Sequence, residues 1–116
     1  MKTILVVDDE RDLLTAVAGV LEDEGYEIIE AGNGRDALEC LRRRRPDLAL
    51  IDVMMPFMSG TELVGEIQRE PKLDGLPIVL MSAVENAEAK KLARAFLKKP
   101  FALGKLVTLV HDLLAE

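Results

Sequence analysis

Leu48-Ala49-Leu50-Ile51-Asp52-Val53-Met54-Met55-Pro56 decides the reading of this chain. Four apolar residues in succession, without polar alternation, describe a strand buried on both faces of a parallel sheet. Asp52 then brings a carboxylate where the apolar run ends. Pro56 and Gly60 mark the chain leaving the sheet. In an open α/β sheet, ligands and chemistry gather at the carboxyl ends of the strands. A lone Asp there would read as a turn or helix cap. Three other segments, however, carry polar groups to the same kind of position.

Thr3 to Val7 (TILVV) is a β-branched, buried strand that stops on Asp8-Asp9-Glu10. Arg11 to Glu24 places Leu14, Val17, Ala18 and Leu21 at helical spacing, and Gly25 suits a C′ stop. Tyr26 to Ala31 is a less hydrophobic strand suited to an edge, followed by a Gly32-Asn33-Gly34 turn. Arg35 to Arg44 is a short helix with Ala37, Leu38 and Leu41 on one face. Its Arg42-Arg43-Arg44-Arg45 run reads as a solvated helix end, with cations at the negative dipole terminus. Ser59 to Glu70 is a third helix, with Ser59 and Glu62 at capping-box spacing. Ile78 to Met81 is a fourth strand ending at Ser82, and Glu85 to Arg94 has a thin helical face of Ala89, Leu92 and Ala93. Ala95 to Lys98 is a short fifth strand ending at Lys99-Pro100. Ala102 to Ala115 is a final amphipathic helix, with His111 on its surface.

Five strands alternating with five helices call for a parallel sheet with right-handed crossovers and helices on both faces. With the second strand at an edge, the expected order is 2-1-3-4-5, a flavodoxin-like doubly wound α/β fold. Its switch point falls between strands 1 and 3. Asp8, Asp9, Asp52, Ser82 and Lys99 then share one rim. Clustered carboxylates repel one another, so at least one should titrate high in the absence of a cation. All-oxygen ligation with few protein ligands fits Mg²⁺ sharing its shell with a phosphoryl group. A carboxylate can attack phosphorus to give an aspartyl phosphate, with Lys and Ser neutralising and binding phosphoryl oxygens.

Composition narrows the classes. One domain over residues 1–116 fits the length, and 49% hydrophobic with 31% charged residues is ordinary for a globular chain. The net charge of −6 opposes non-specific nucleic-acid binding, and the absence of Trp with only 1 Tyr and 3 Phe opposes base stacking. Cys40 is single and packs as a small apolar residue. No signal peptide or membrane-spanning run is visible, so the expected location is cytoplasmic.

The runs Val6-Val7-Asp8-Asp9-Glu10, Ile51-Asp52-Val53-Met54-Met55-Pro56 with Gly60, Met81-Ser82-Ala83 and Lys99-Pro100-Phe101 resemble the receiver (CheY-like) domain of two-component response regulators. The resemblance covers the whole chain. It implies a phosphoacceptor signalling domain rather than an enzyme acting on an external substrate. Asp52 would take a phosphoryl group from the phosphohistidine of a sensor kinase or phosphotransfer protein. Asp9, Asp52 and the backbone carbonyl of Met54 would ligate Mg²⁺, with Asp8 acting directly or through water. Ser82 and Lys99 would hold phosphoryl oxygens, and Phe96 would be the aromatic switch that moves with Ser82. A cis Lys99-Pro100 bond is also implied. A downstream protein or a fused output domain would read the switched face, with no nucleic acid or membrane contacted by this domain.

One departure stands out. Only seventeen positions separate Ser82 from Lys99, several fewer than the family usually has, and the Gly-Ala-Asp-like turn before strand 5 is absent. The fourth helix is therefore expected to be shortened or poorly ordered. Rival readings fare worse. A flavin-binding domain needs a phosphate cradle where Asp8-Asp9-Glu10 would repel an anion. An Asp-nucleophile phosphatase needs a paired general acid and a cap. A Walker nucleotide site lacks its motif. The alternative that survives is a non-phosphorylated pseudo-receiver interaction module, which the intact acidic, hydroxyl and lysine set disfavours.

Overall fold

The structure is a computed structural model that describes residues 1–115; the last residue of the expected domain, Glu116, lies outside the described residues. Five strands, β1 (Thr3–Val7), β2 (Glu27–Ala31), β3 (Leu48–Asp52), β4 (Ile78–Ser82) and β5 (Ala95–Lys98), form one sheet in the order β2-β1-β3-β4-β5. Every pairing is parallel. Five helices connect or follow them: α1 (Arg11–Asp23), α2 (Gly34–Arg43), α3 (Gly60–Gln68), α4 (Ala87–Leu92) and α5 (Leu103–Leu114). The doubly wound expectation holds in order and in element type.

Strand alternation divides the core into two layers. Leu5, Val7, Ala49, Ile51 and Leu80 face a cluster completed by α2, α3 and α4. Ile4, Val6, Leu48, Leu50, Val79 and Met81 face the opposite cluster, completed by α1 and α5. β1, β3 and β4 are buried along their whole length, whereas β2 is mostly half-buried, as befits an edge. Cys40 is half-buried and packs against the first cluster; His111 is exposed.

Helix ends account for most differences from the sequence reading. Glu24 caps α1 and Gly25 follows at φ 95°, a conformation that glycine supplies at low steric cost. Asn33 caps α2 by accepting from Asp36 N at 2.8 Å, which starts that helix at Gly34 rather than Arg35. Ser59 and Glu62 form the expected reciprocal box, at 3.2 and 2.9 Å. α3 ends earlier than expected because Pro71 opens a single 3₁₀ turn, Pro71–Leu73. Three arginines of the run, Arg42, Arg44 and Arg45, fasten this helix end to its surroundings. Arg44 forks onto Glu27 at 2.7 and 2.9 Å and reaches Thr3 Oγ1, while Arg42 pairs with Glu39 and Arg45 with the Asp74 carbonyl.

α4 is six residues long, shorter than the ten-residue span its sequence pattern suggested. Asn86 caps it by accepting from Ala89 N, and Ala89 is its one buried residue. Arg94 N donates to Ile78 O, so the chain is already running beside β4 two residues after the helix stops. Leu103, at the first turn of α5, is 38% exposed, and the helix buries Leu106 and Val110 instead. Among the described residues, no helix is long and apolar enough to cross a membrane.

Candidate functional site

Strand register brings the polar residues to one rim. Val7 pairs with Ile51, so Asp8 emerges beside Asp52. Asp52 pairs with Met81, which places Ser82 one step beyond, and Ser82 pairs with Lys98, which places Lys99 next in line. Asp8 and Asp52 are therefore level, and from β3 to β5 each strand ends with its polar group one residue further along the rim. The Lys99-Pro100 bond is cis, as the resemblance implied.

At the centre lies an ion cluster. Lys99 Nζ sits 2.9 Å from Asp8 Oδ2 and 3.3 Å from Asp52 Oδ1. Asp8 and Asp52 are buried and the lysine side chain is 15% exposed, so solvent screens these contacts weakly. Glu10, 3.9 Å away and largely exposed, adds little. The other Asp8 oxygen accepts from Glu10 N at 2.9 Å, so both of its oxygens are engaged. Carboxylate oxygens of Asp8, Asp9 and Asp52 lie within 4.8 Å of one another. Asp9 is the exposed member of that group.

The carboxyl expected to titrate high is that of Asp52. Burial, then the neighbouring Asp8 charge, push its carboxyl up to about 6, against the opposing pull of Lys99. Burial by itself would lower Lys99, but Asp8 and Asp52 outweigh it and hold the ammonium above its ordinary range.

Ser82 is buried, and its Oγ accepts from Val84 N at 3.2 Å, which leaves the O–H free to donate elsewhere. Its carbonyl accepts from Lys99 N at 2.9 Å, tying the two rim residues together through the backbone. Phe96 is half-buried against the α2–α3–α4 cluster, and Lys90 Nζ stands 5.6 Å above its ring while also pairing with Glu85. Met54 is 65% exposed on the loop leaving β3.

Two features of this loop escaped the sequence reading. Gly60 packs its Cα against the backbone of Asp52 and Val53, and its N–H donates to Val53 O at 2.9 Å. A glycine eight positions past an acid carries that signal only in retrospect. Phe57 sits at φ 69°, fully exposed, and nothing in its local sequence announces either property.

A parallel doubly wound sheet with three carboxylates and a lysine gathered at one rim defines a class of α/β domain with its site at the switch point. This chain belongs to the response regulator receiver domain family, whose model matches residues 4–111. It is 36% identical over 117 residues to the probable transcriptional regulatory protein TcrX of Mycobacterium tuberculosis, covering 97% of this chain and 49% of that protein. A 14.6 kDa protein of Leptolyngbya boryana is 38% identical over 114 residues, covering 94% of this chain and 87% of that protein. The chain spans about half the length of TcrX and of other curated relatives that it matches. Among solved structures, chemotaxis protein CheY4 of Vibrio cholerae matches with a TM-score of 0.92 at 31% identity, over 98% of this chain and 99% of that one. TrrA of Thermotoga maritima, solved in complex with Mg(2+)-BeF, matches with a TM-score of 0.88 at 36% identity, over 98% of this chain and 100% of that one. This is a receiver domain of two-component response regulators, a signalling domain.

Proposed function

We propose that Asp52 is the phosphoacceptor of this receiver and takes a phosphoryl group from a phosphohistidine on a sensor kinase or phosphotransfer protein. The observation that carries this reading is the buried Lys99 ammonium set between Asp8 and Asp52. With its carboxyl titrating near 6, Asp52 is ionised at pH 7 and nucleophilic. A carboxylate oxygen attacks phosphorus, the P–N bond breaks, and its electron pair returns to the imidazole nitrogen, which takes up a proton. Lys99 then neutralises a phosphoryl oxygen, and the free O–H of Ser82 donates to another. Movement of Ser82 toward the phosphoryl group is the step that Phe96 would follow, changing the face offered to a downstream protein or output domain.

The donor set fits Mg²⁺: three hard carboxylate oxygens close together, one residue exposed for entry. Asp9, Asp52 and the Met54 carbonyl are the residues assigned to hold it. Asp8, with both oxygens engaged by Lys99 and Glu10 N, is suited to contact through water. Bound Mg²⁺ supplies the positive charge that lets phosphoryl oxygens approach these acids. That TrrA was solved in complex with Mg(2+)-BeF supports a Mg²⁺ reading of this rim.

Incubation with Mg²⁺ and acetyl phosphate is expected to add one phosphoryl group by intact mass, mapped by peptide analysis to Asp52, and none in the presence of a chelator. Labelling of a different residue, or none at all, defeats the reading. Asp9→Ala is expected to weaken Mg²⁺ binding by at least about tenfold, since loss of even an outer partner of a metal ligand has that scale. Calorimetric titration returning equal affinities would remove Asp9 from the set.

A further inference from the structure

The β3–α3 loop carries a side chain for which the site has no use. Phe57 is fully exposed with its backbone at φ 69°. That region is unfavourable for any residue with a Cβ and an outlier for a bulky one, whereas Gly or Asn enters it readily. A solvated phenyl ring gains nothing from the chain's own core. The loop itself holds this backbone, since Met58 N donates to Pro56 O at 2.8 Å across Phe57, but nothing among the described residues covers the ring.

Its position names the visitor. The loop closes on itself where Gly60 N meets Val53 O at 2.9 Å, against the backbone of Asp52. Three residues of chain hold the Phe57 Cα within about 11 Å of that closure. A protein footprint of about 800 Å², centred on the acceptor, is a disc of roughly 16 Å radius. A protein that presents a phosphoryl group to Asp52 with such a footprint covers Phe57. Met54 and Val84, 65% and 61% exposed on the loops leaving β3 and β4, extend the same apolar collar. The remaining rim offers the exposed acids Asp9 and Glu10, which repel a phosphorylated visitor, so adhesion falls to the apolar residues.

We propose that Phe57 is the anchor engaged by a phosphoryl-donating protein while its phosphohistidine stands over Asp52, a positioning residue that takes no part in the chemistry. The inference rests on the phosphoacceptor reading. Beside Phe57, a groove between the β2–α2 and β3–α3 loops, lined by Gly32, Asn33, Arg35 and Met58, receives the donor's contacting side chains.

Phe57→Asn keeps a residue suited to the left-handed backbone and removes the ring. Two donors separate docking from chemistry: acetyl phosphate, and a set of histidine-phosphotransfer domains charged with phosphoramidate, using the fastest for the parent. The variant is expected to lose at least about tenfold in the second-order rate from the protein donor, with Phe57→Tyr near the parent, while labelling by acetyl phosphate changes less than about twofold. Its denaturation midpoint is expected to rise. Unchanged transfer from the protein donor, or a parallel loss with acetyl phosphate, overturns the anchor. So does a parent that acetyl phosphate labels and no phosphotransfer domain does. A parent that acetyl phosphate fails to label overturns the phosphoacceptor reading itself, and the anchor with it.

Discussion

Asp52→Asn is expected to abolish phosphoryl incorporation and, in chelator, to make the protein more stable at neutral pH. The loss follows from chemistry: a carboxamide nitrogen and oxygen do not replace the attacking carboxylate. The gain follows from linkage. Asp52 titrates near 6 when folded and close to the ordinary carboxylate value when unfolded, so the folded state binds the extra proton. Stability of the metal-free parent therefore falls as pH rises from about 4 to about 6 and stays low above that. Two units of displacement correspond to about 3 kcal/mol at most, and Lys99 loses a partner in the variant, so the net gain at pH 7 should be about 1–2 kcal/mol. Below about pH 4 the two proteins should converge, because Asp52 is then neutral in both states. Urea denaturation across pH 4 to 8 in chelator reads this directly. Parallel pH profiles would show that Asp52 is not the group that carries the buried charge.

Gly60→Ala should cost about 3 kcal/mol, the upper part of the range for forcing an atom into a packed site. A Cβ built there would lie 2.4 Å from the Asp52 carbonyl oxygen and 2.9 Å from both Asp52 C and Val53 Cα. All three are backbone atoms at the end of the central strand, so none can swing aside as a flexible side chain would. The melting temperature should drop by about 10 °C. Because the displaced backbone is that of Asp52, labelling by acetyl phosphate should slow as well. Gly65→Ala, on the same helix with nothing within 4 Å of its added Cβ, is the matched control. Alanine's better helix propensity should leave it unchanged or more stable by up to about 1 kcal/mol. If both variants melt together, the close approach at Gly60 is not what holds the loop.

The family resemblance and the alternation of buried strands with amphipathic helices were legible because they rest on short-range pattern. TILVV and LALI, the stop at Gly25, the Ser59–Glu62 box and the deficit between Ser82 and Lys99 are all local properties of the chain. Sequence alone therefore determined the parallel sheet, the edge place of β2 and the shortening of α4. It also placed Asp8, Asp9, Asp52, Ser82 and Lys99 at strand ends. What it could not supply was distance. The contact of Lys99 with Asp8 joins residues 91 positions apart, and the elevated Asp52 carboxyl depends on how deeply β3 is buried between its neighbours. The approach of Gly60 to the Asp52 backbone and the exposed, left-handed Phe57 likewise depend on where the β3–α3 loop comes to rest. Propensity and periodicity act over a few residues, whereas burial, ion pairing and steric contact act through space. Only packing of the whole sheet with its helices brings distant residues close enough for those forces to decide.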